Sequence, residues 1–285
     1  MDLPVETCQP FTLTRPARQL CPLVFASAHS GRLYPPDFLA AARLDPVSLR
    51  KSEDAFVDEL FGAAPDLGAP LLAAHFPRAW CDANREPWEL DPGMFDAPLP
   101  DWVNSASPRV GAGLGTIARI VASGEAIYHR RLSFPEAERR IRACWEPYHA
   151  ALAGLIAHTK AEFGHCLLLD CHSMPSHPSG GAALPNFVLG DAHGTACAPR
   201  ATRLLESALQ RQGFSVRRND PYAGGYITRH YGRPRERVHV IQIEVARGLY
   251  MDEARIERGP GFEALRLRLE ALMAELAGAD WRMLG

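Results

Sequence analysis

Short runs of consecutive apolar residues alternate along this chain with longer segments of helical periodicity. The apolar runs predict strands at residues 23–26, 69–74, 166–169, 186–189, 214–217 and 238–244. The helical patterns lie at residues 53–61, 135–163, 199–213 and 260–278. Strands that alternate with helices are typical of an α/β layer fold with a mostly parallel sheet. No segment is long or polar enough to divide the chain, so we predict a single α/β domain over residues 1–285.

The longest helical pattern contains a proline. Pro135 stands at the start of this pattern and Gly164 follows its end, which are the positions that these residues favour. Pro147 lies inside the pattern. Because proline lacks the backbone N–H and its ring crowds the preceding turn, we expect a kink or two abutting helices there.

Composition excludes several classes of protein. The 285 residues include 31 Lys and Arg against 33 Asp and Glu, a net charge of −2 that does not favour binding to nucleic acid. No apolar run approaches the roughly 18 residues of a membrane helix. The seven cysteines form no CxxC pair, and the N-terminus lacks the apolar core of a secretory signal. We expect a cytoplasmic protein with reduced thiols and no membrane partner.

Side chains that can bind a metal or transfer a proton lie at the ends of three predicted strands: His29, His172 and Glu244. In open α/β sheets, ligands bind beyond the carboxyl ends of the strands. A catalytic zinc takes three protein ligands and leaves a position for water. The two histidines are therefore candidate ligands of Zn²⁺ or another divalent metal, and the acidic pair Glu53 and Asp54 can supply a carboxylate.

Glu244 is a candidate general base. The residues before it are apolar, so we expect it to be partly buried, and burial raises the pKa of a carboxyl group towards the range useful for accepting a proton. The alternatives are a surface glutamate at the end of a strand and an ion-pair partner of Arg247.

The segment FPRAWCDANR places Arg78, Asn84 and Arg85 close together. A guanidinium beside an amide suits a substrate carboxylate, because the guanidinium fork contacts both oxygens and the amide adds a donor. Solvated surface arginines are the alternative. The glycine-rich segment 221–232 is predicted to be a loop and a candidate lid, with Tyr226 and Arg229 as substrate contacts.

Other hydrolase and nucleotide-binding motifs are missing from the sequence. There is no GxSxG and no Walker A sequence, and GAGLG at residues 111–115 is not a dinucleotide fingerprint. Cys171 beside His172 suggests a thiol nucleophile as an alternative, but neighbouring residues of a strand point to opposite faces.

Seven ordered segments resemble the N-formylglutamate amidohydrolase family, and the resemblance runs from about residue 10 to residue 275. The segments are ASAHSG (26–31), SEDAFVDELF (52–61), GAPLLAAHFPRAWCDANR (68–85), LLLDCHSMP (167–175), VLGDAHG (188–194), YAGGYITRHYG (222–232) and QIEVARGLYMDE (242–253). The family is related to the zinc carboxypeptidase and aspartoacylase hydrolases. The resemblance implies a mixed sheet of about eight strands flanked by helices, and hydrolysis of N-formyl-L-glutamate to formate and glutamate in histidine degradation.

The resemblance also implies roles for individual residues. It implies that His29 and His172 are metal ligands and that Asp54 fits the acidic ligand position, with Glu53 as the adjacent candidate. Relatives in the wider superfamily have this carboxylate three residues after the first histidine, where this chain has Arg32.

The remaining roles concern catalysis and substrate binding. Glu244 resembles the general base, Asn84 and Arg85 the pair that grips the substrate carboxylate, and Arg78 the arginine that polarises the scissile carbonyl. The alternatives are a related zinc hydrolase of another N-acyl amino acid or peptide-like amide, and a catalytically silent binding protein.

Overall fold

The computed structural model of the chain describes residues 9–177 and 184–284. Residues 1–8 lie outside this description. They include Cys8 and part of the N-terminal segment that is predicted to contain no secretory signal. No helix in the described part of the chain is both long and apolar enough to cross a membrane.

Seven strands form the main sheet, and two further strands form a separate ribbon. The main sheet contains β1 (Phe11–Thr14), β2 (Leu23–Ser27), β3 (Leu71–Ala74), β4 (Cys166–Met174), β5 (Phe187–Gly190), β6 (Val216–Arg218) and β7 (Val238–Ala246). The ribbon pairs β8 (Met251–Asp252) with β9 (Glu257–Arg258). The described residues thus place seven strands in the main sheet, where the family resemblance implied about eight.

The strand order in the main sheet is β1-β3-β2-β4-β7-β5-β6. The four adjacent strands β3, β2, β4 and β7 run parallel to one another, and β1 and β5 pair antiparallel with β3 and β7. This mostly parallel α/β sheet confirms the predicted fold class. Its parallel centre brings the carboxyl ends of β2, β4 and β7 to one edge of the sheet.

Nine α-helices lie within the described residues. They are α1 (Pro36–Ala41), α2 (Pro46–Arg50), α3 (Val57–Leu60), α4 (Pro108–Gly111), α5 (Phe134–Arg140), α6 (Glu146–Phe163), α7 (Pro199–Arg211), α8 (Tyr226–Tyr231) and α9 (Phe262–Ala277). On one face of the sheet, α7 and α9 contribute leucines to a large apolar cluster. On the other face, α6 packs its buried side chains into a second cluster. Helices therefore cover both faces of the sheet, as parallel strands require.

The predicted helix at residues 53–61 is wrong in its first half. The helix begins only at Val57, because Phe56 adopts a left-handed backbone conformation with φ of +65°. Val57, Leu60 and Phe61 of the predicted apolar face are buried. The apolar spacing thus identified the buried side chains, whereas Glu53 and Asp54 lie in a turn.

Two predicted strands are longer than their apolar runs. β4 continues through Asp170 and His172 to Met174, and β7 continues beyond Glu244 to Ala246, because the two strands pair over nine residues each. Backbone pairing does not require apolar side chains, so a polar residue within a strand does not end it.

The helical pattern at residues 135–163 is divided into two α-helices, as Pro147 predicted. A π-helix at Ile141–Trp145 joins α5 to α6, and Pro147 lies in the first turn of α6. The wider π turn accommodates the proline ring, which would crowd the carbonyl of residue 143 in a regular α-helix.

Candidate metal centre and active-site cavity

Two histidines and one aspartate bring their side-chain donor atoms together at the carboxyl edge of the sheet. His29 follows β2 by two residues, Asp54 lies in the turn before α3, and His172 is on β4. Their donor atoms all lie within 4.8 Å of one another, and all three residues are buried. Oδ2 of Asp54 is 3.4 Å from Nδ1 of His29 and 2.9 Å from Nδ1 of His172. Three elements distant in sequence therefore form one cluster of ligand atoms.

Local backbone geometry places this cluster. The backbone N–H of Asp54 donates to the carbonyl oxygen of His29 at 3.0 Å, which fixes the turn relative to the end of β2. A Cβ atom on Gly31 would lie 2.1 Å from the carbonyl oxygen of Phe76, so only glycine allows the chain to pass there. The HSG sequence after β2 is thus held by backbone contacts against both the Asp54 turn and Phe76.

Each histidine of the cluster has a carboxylate at its other ring nitrogen. Nε2 of His29 is 2.7 Å from Oδ1 of Asp82, in a hydrogen bond. Nε2 of His172 lies 3.0 Å from Oδ1 of Asp170, at an angle that makes no hydrogen bond, and 3.2 Å from Nδ2 of Asn84. Carboxylates in this position orient metal-binding imidazoles and fix their tautomer.

Asp54 is held by a second set of contacts. Its Oδ1 accepts hydrogen bonds from Oγ of Ser173 at 3.1 Å and from Nη2 of Arg247 at 3.2 Å. Arg247 also donates to the backbone oxygens of Glu53 and Lys51. Burial alone would raise the pKa of Asp54, but the two neighbouring histidines hold it well below its usual value. The carboxylate is therefore charged, with Oδ2 directed at the histidines.

This donor set fits a divalent metal ion. Nδ1 of His29 is a buried nitrogen with no hydrogen-bond partner, and an unpaired buried nitrogen is costly unless a ligand engages it. Ligands at the usual zinc distances of 2.0–2.1 Å in a tetrahedral site lie about 3.4 Å apart. Two imidazoles and one carboxylate are a common protein ligand set of catalytic zinc.

Glu53 lies outside this cluster. Its Oε1 accepts hydrogen bonds from the hydroxyl of Tyr34 at 2.7 Å and from Nε of Arg50 at 3.0 Å. Of the two acidic candidates, only Asp54 lies among the histidines. The spacing of residues could not show which of the two side chains faces the histidines, because the two residues lie in a turn rather than in a helix with a regular period.

Glu244 lies beside the cluster, on the neighbouring strand. It is directly opposite His172 in the pairing of β4 with β7. Burial is the main reason why the pKa of Glu244 is raised to about 8, although His172 opposes the shift. Nε2 of Gln242 donates to Oε1 of Glu244 at 2.7 Å and fixes its orientation. The proposed pairing of Glu244 with Arg247 is not observed, since Arg247 contacts Asp54.

A cavity of about 490 Å³ opens over these residues. Its lining includes His29, Asp54, His172 and Glu244. Five arginines also line it, against three carboxylates: Arg78, Arg85, Arg109, Arg229 and Arg247, with Asp54, Asp82 and Glu244. The cavity is therefore rich in positive charge, which favours an anionic ligand.

The Arg78–Asp82 pair joins the cavity wall to the cluster. Nη2 of Arg78 donates to Oδ2 of Asp82 at 2.9 Å, while Oδ1 of the same carboxylate contacts His29. Burial would raise the pKa of Asp82, but His29, Arg78 and Arg85 together hold it well below its usual value. Asp82 is therefore an anion shared by an imidazole and a guanidinium.

Asn84 and Arg85 both line the cavity, but they differ in how many donors remain free. The Asn84 amide accepts from the N–H of Ile227 at 2.8 Å and contacts His172. A Cβ atom on Gly225 would lie 2.4 Å from this amide, so glycine is required there. Arg85 donates to the carbonyl oxygens of Leu114 and Asn84 and has no carboxylate in hydrogen-bond contact among the described residues.

The segment 221–232, predicted to be a loop and a candidate lid, contains helix α8. Arg229 on this helix lines the cavity, whereas Tyr226 is not among the lining residues. Tyr226 instead stacks on His230 and packs against Trp145 and His149. The structure thus places only one of the two predicted contacts, Arg229, at the cavity.

A thiol nucleophile is not supported by the position of Cys171. Its side chain is fully buried in the apolar cluster on the other face of the sheet. Burial raises the pKa of this thiol well above its usual value, and the Asp170 carboxylate raises it further. The reactive form of cysteine is the thiolate, which this environment disfavours.

Several residues that build the site have no role predicted from the sequence. Asp170 and Gln242 precede His172 and Glu244 by two positions, so the period-two alternation of a strand places each pair on one face. That alternation could have identified them. No comparable signal exists for Asp82 or Arg109, which reach the site from other elements. Arg247 follows β7 and is expected from the sequence only as a partner of Glu244, whereas it contacts Asp54.

The same arrangement of segments is found in a known family of hydrolases. The sequence profile of the N-formylglutamate amidohydrolase family matches residues 21–251, which include the three clustered donors and Glu244. The chain belongs to this family. The predicted family is thereby confirmed.

Individual members of the family match this chain over most of its length. Proteins named N-formylglutamate deformylase from Pseudomonas aeruginosa and Pseudomonas putida are 34% and 32% identical to it. The matches cover 81% of this chain and 83% and 82% of the relatives. The crystal structure of N-formylglutamate amidohydrolase from Ralstonia eutropha JMP134 matches with a TM-score of 0.89 and 39% identity, over 95% of this chain and 98% of that one.

Proposed function

We propose that this protein is a metal-dependent amidohydrolase that removes the formyl group from N-formyl-L-glutamate, giving formate and L-glutamate in cytoplasmic histidine degradation. The observation that carries the proposal is the cluster of His29, Asp54 and His172 beside Glu244, in a cavity rich in arginine. The names of the relatives in the two Pseudomonas species support the substrate.

The proposed metal ligands are Nδ1 of His29, Nδ1 of His172 and Oδ2 of Asp54, and the proposed ion is Zn²⁺. Asp82 would hold the imidazole of His29 from behind, and Arg247 would hold the carboxylate. Asp170 places its charge 3.0 Å behind the imidazole of His172. When bound, a divalent cation polarises the scissile carbonyl, acidifies a water molecule and lowers the pKa of a nearby carboxyl group.

Glu244 would act as the general base and then as the general acid. Its carboxylate takes a proton from the attacking water as the new C–O bond forms at the formyl carbon. It returns this proton to the amide nitrogen as the C–N bond breaks, and the neutral amine leaves. Gln242 keeps the carboxylate oriented through both steps.

The arginines would bind and polarise the substrate. Arg78 is held by Asp82 through one nitrogen, which leaves donors for the oxygen of the formyl carbonyl as it gains charge. Arg85 would pair with the α-carboxylate of the substrate, which would supply the anion that this buried guanidinium lacks. Asn84 would support the helix that carries Arg229.

The experiment that tests this function is formate release from N-formyl-L-glutamate by purified protein, measured before chelation, after it and after return of Zn²⁺. We expect activity to disappear with chelation and to return with the metal. N-acetyl-L-glutamate and N-formimino-L-glutamate, assayed in parallel, test for another acyl group. A protein that binds zinc but hydrolyses none of these amides would contradict the proposed function and favour a silent binding protein.

A further inference from the structure

The segment of residues 81–85 is buried although it forms no helix or strand. It contains Asp82, Asn84 and Arg85, and all of its residues are buried. Buried backbone groups need hydrogen-bond partners, and an irregular segment cannot obtain them from a helix or from a neighbouring strand. The carbonyl oxygens of this segment therefore depend on other parts of the chain.

Two side chains at the junction of the π-helix and α6 contact the carbonyl oxygens on either side of Asn84. Nε1 of Trp145 donates to the carbonyl oxygen of Arg85 at 3.0 Å, and Nε2 of His149 lies 2.8 Å from that of Ala83. The two side chains are four positions apart, so they lie on one side of the helix, and their rings stack with centroids 3.8 Å apart. One stacked pair thus holds the segment on both sides of Asn84.

The surroundings of His149 determine which ring nitrogen carries its proton. Burial is the main reason why the pKa of His149 is lowered to about 4, so the imidazole is neutral at neutral pH. A neutral imidazole has one donor and one acceptor. The carbonyl oxygen of Ala83 can only accept, so Nε2 carries the proton, and Nδ1 accepts from the hydroxyl of Tyr231 at 2.9 Å. Tyr231 is on α8, so His149 connects the segment to the helix that carries Arg229.

The direction of the Arg85 side chain depends on the same backbone. Its Nη1 donates to the carbonyl oxygen of Asn84 at 2.8 Å, within the segment itself, and its Nε donates to that of Leu114 at 2.8 Å. A movement of the segment would therefore move a guanidinium that lines the cavity. A binding group that is fixed before its ligand arrives loses less conformational freedom when the ligand binds.

We propose that Trp145 and His149 are positioning residues, which hold the backbone of residues 83–85 so that Arg85 stays directed into the cavity for the substrate carboxylate. The inference rests on the proposed function, because the carboxylate is that of the proposed substrate. Neither residue is among those that line the cavity, so both act through Arg85 and not by contact with the substrate. The proposed base, Glu244, lies on β7, so the loss of either donor should affect binding more than turnover.

The test removes one donor at a time and keeps an aromatic ring in its place. In Trp145→Phe and in His149→Phe, KM for N-formyl-L-glutamate should rise about 5- to 10-fold, which corresponds to one side chain that binding has to order again. The values of kcat and the zinc content should stay close to those of the wild type. His149→Gln should restore most of the KM, because its amide can donate to Ala83 from nearly the position of Nε2.

Trp281→Phe is the matched control. Nε1 of Trp281 also donates to a backbone oxygen, that of Leu276 at 2.7 Å, and this side chain is buried outside the cavity. The control should lose stability without a change in KM. The inference would be overturned by an unchanged KM in Trp145→Phe and His149→Phe, by an equal rise in the control, or by a His149→Gln variant that behaves like His149→Phe.

Hydrogen exchange measured by mass spectrometry gives a readout that needs no turnover. The amides of residues 82–86 should exchange faster in Trp145→Phe and His149→Phe than in the wild type, and at the wild-type rate in Trp281→Phe. If the wild type releases no formate but exchange shows this pattern, the proposed function fails and the positioning of the segment stands. If formate is released but exchange is unchanged in both variants, the proposed function stands and the positioning role fails.

Discussion

On one face of β4, Leu167, Leu169 and Cys171 pack into an apolar cluster along most of the strand. On the other face, Cys166 and Leu168 belong to an apolar cluster, but Asp170 and His172 follow them. β7 shows the same contrast between Ile241, Ile243 and Val245 on one face and the polar pair Gln242 and Glu244 on the other.

Within each of these strands, one face therefore contributes mainly to the stability of the fold, and the other face carries the proposed catalytic residues. The face that carries Leu167, Leu169 and Cys171 is packed against α7 and α9 and contributes to folding along most of its length. The other face is apolar near the amino ends of the strands, where α6 covers it, and becomes polar at Asp170 and Gln242. Beyond the polar residues, only Met174 and Ala246 belong to a further, small apolar cluster. Substitutions on the two faces should therefore have different effects, and the following variants test this from the largest expected loss of activity to the smallest.

His172→Ala should cause the largest loss of activity. The variant removes a proposed metal ligand from the polar face, so we expect formate release at background level and loss of bound zinc, measured by elemental analysis. His158→Ala is the control, because this exposed histidine lies on α6 away from the cavity. A variant that retained full metal content would remove His172 from the ligand set.

Glu244→Gln should leave the metal in place and abolish most of the turnover. The substitution preserves the shape of the side chain but removes its proton-accepting charge, so kcat should fall about 10²- to 10⁴-fold. Glu162→Gln on the exposed surface of α6 is the matched control. Wild-type kcat in Glu244→Gln would show that another group accepts the proton.

Asp82→Asn should have a smaller effect on both properties. Loss of the charge behind His29 weakens the orientation of the imidazole, so metal affinity should fall about 10- to 100-fold, measured by competition with a chelator. Return of activity at saturating zinc would support this role. Unchanged affinity would mean that Asp82 does not act through the metal.

Leu167→Ala, on the apolar face of β4, should have the reverse effect. Removal of this fully packed side chain should lower the free energy of unfolding by about 2–5 kcal/mol, measured by urea denaturation. Activity per folded molecule should stay at the wild-type level, because the cavity lies on the other face. A large loss of kcat in the folded variant would show that the two faces are not separable.

The apolar runs were sufficient to predict the central strands of the sheet, and the residues after them identified His29, His172 and Glu244. Periodicity alone could not decide between Glu53 and Asp54, because that choice depends on a turn that is placed by a hydrogen bond from Asp54 to the backbone oxygen of His29, a residue distant in sequence. It also could not identify Arg247 and Asp82. Their contacts join residues 193 and 53 positions apart, and such pairings arise from the packing of the whole chain.

The central claim is that His29, Asp54 and His172 share one metal ion. The most direct measurement is anomalous X-ray diffraction at the zinc edge from crystals of protein loaded with zinc. The account predicts one strong peak about 2.0–2.2 Å from Nδ1 of both histidines and from Oδ2 of Asp54, with Glu244 alongside. A fully loaded crystal with its zinc peak elsewhere, or with either histidine outside the coordination sphere, would contradict the account.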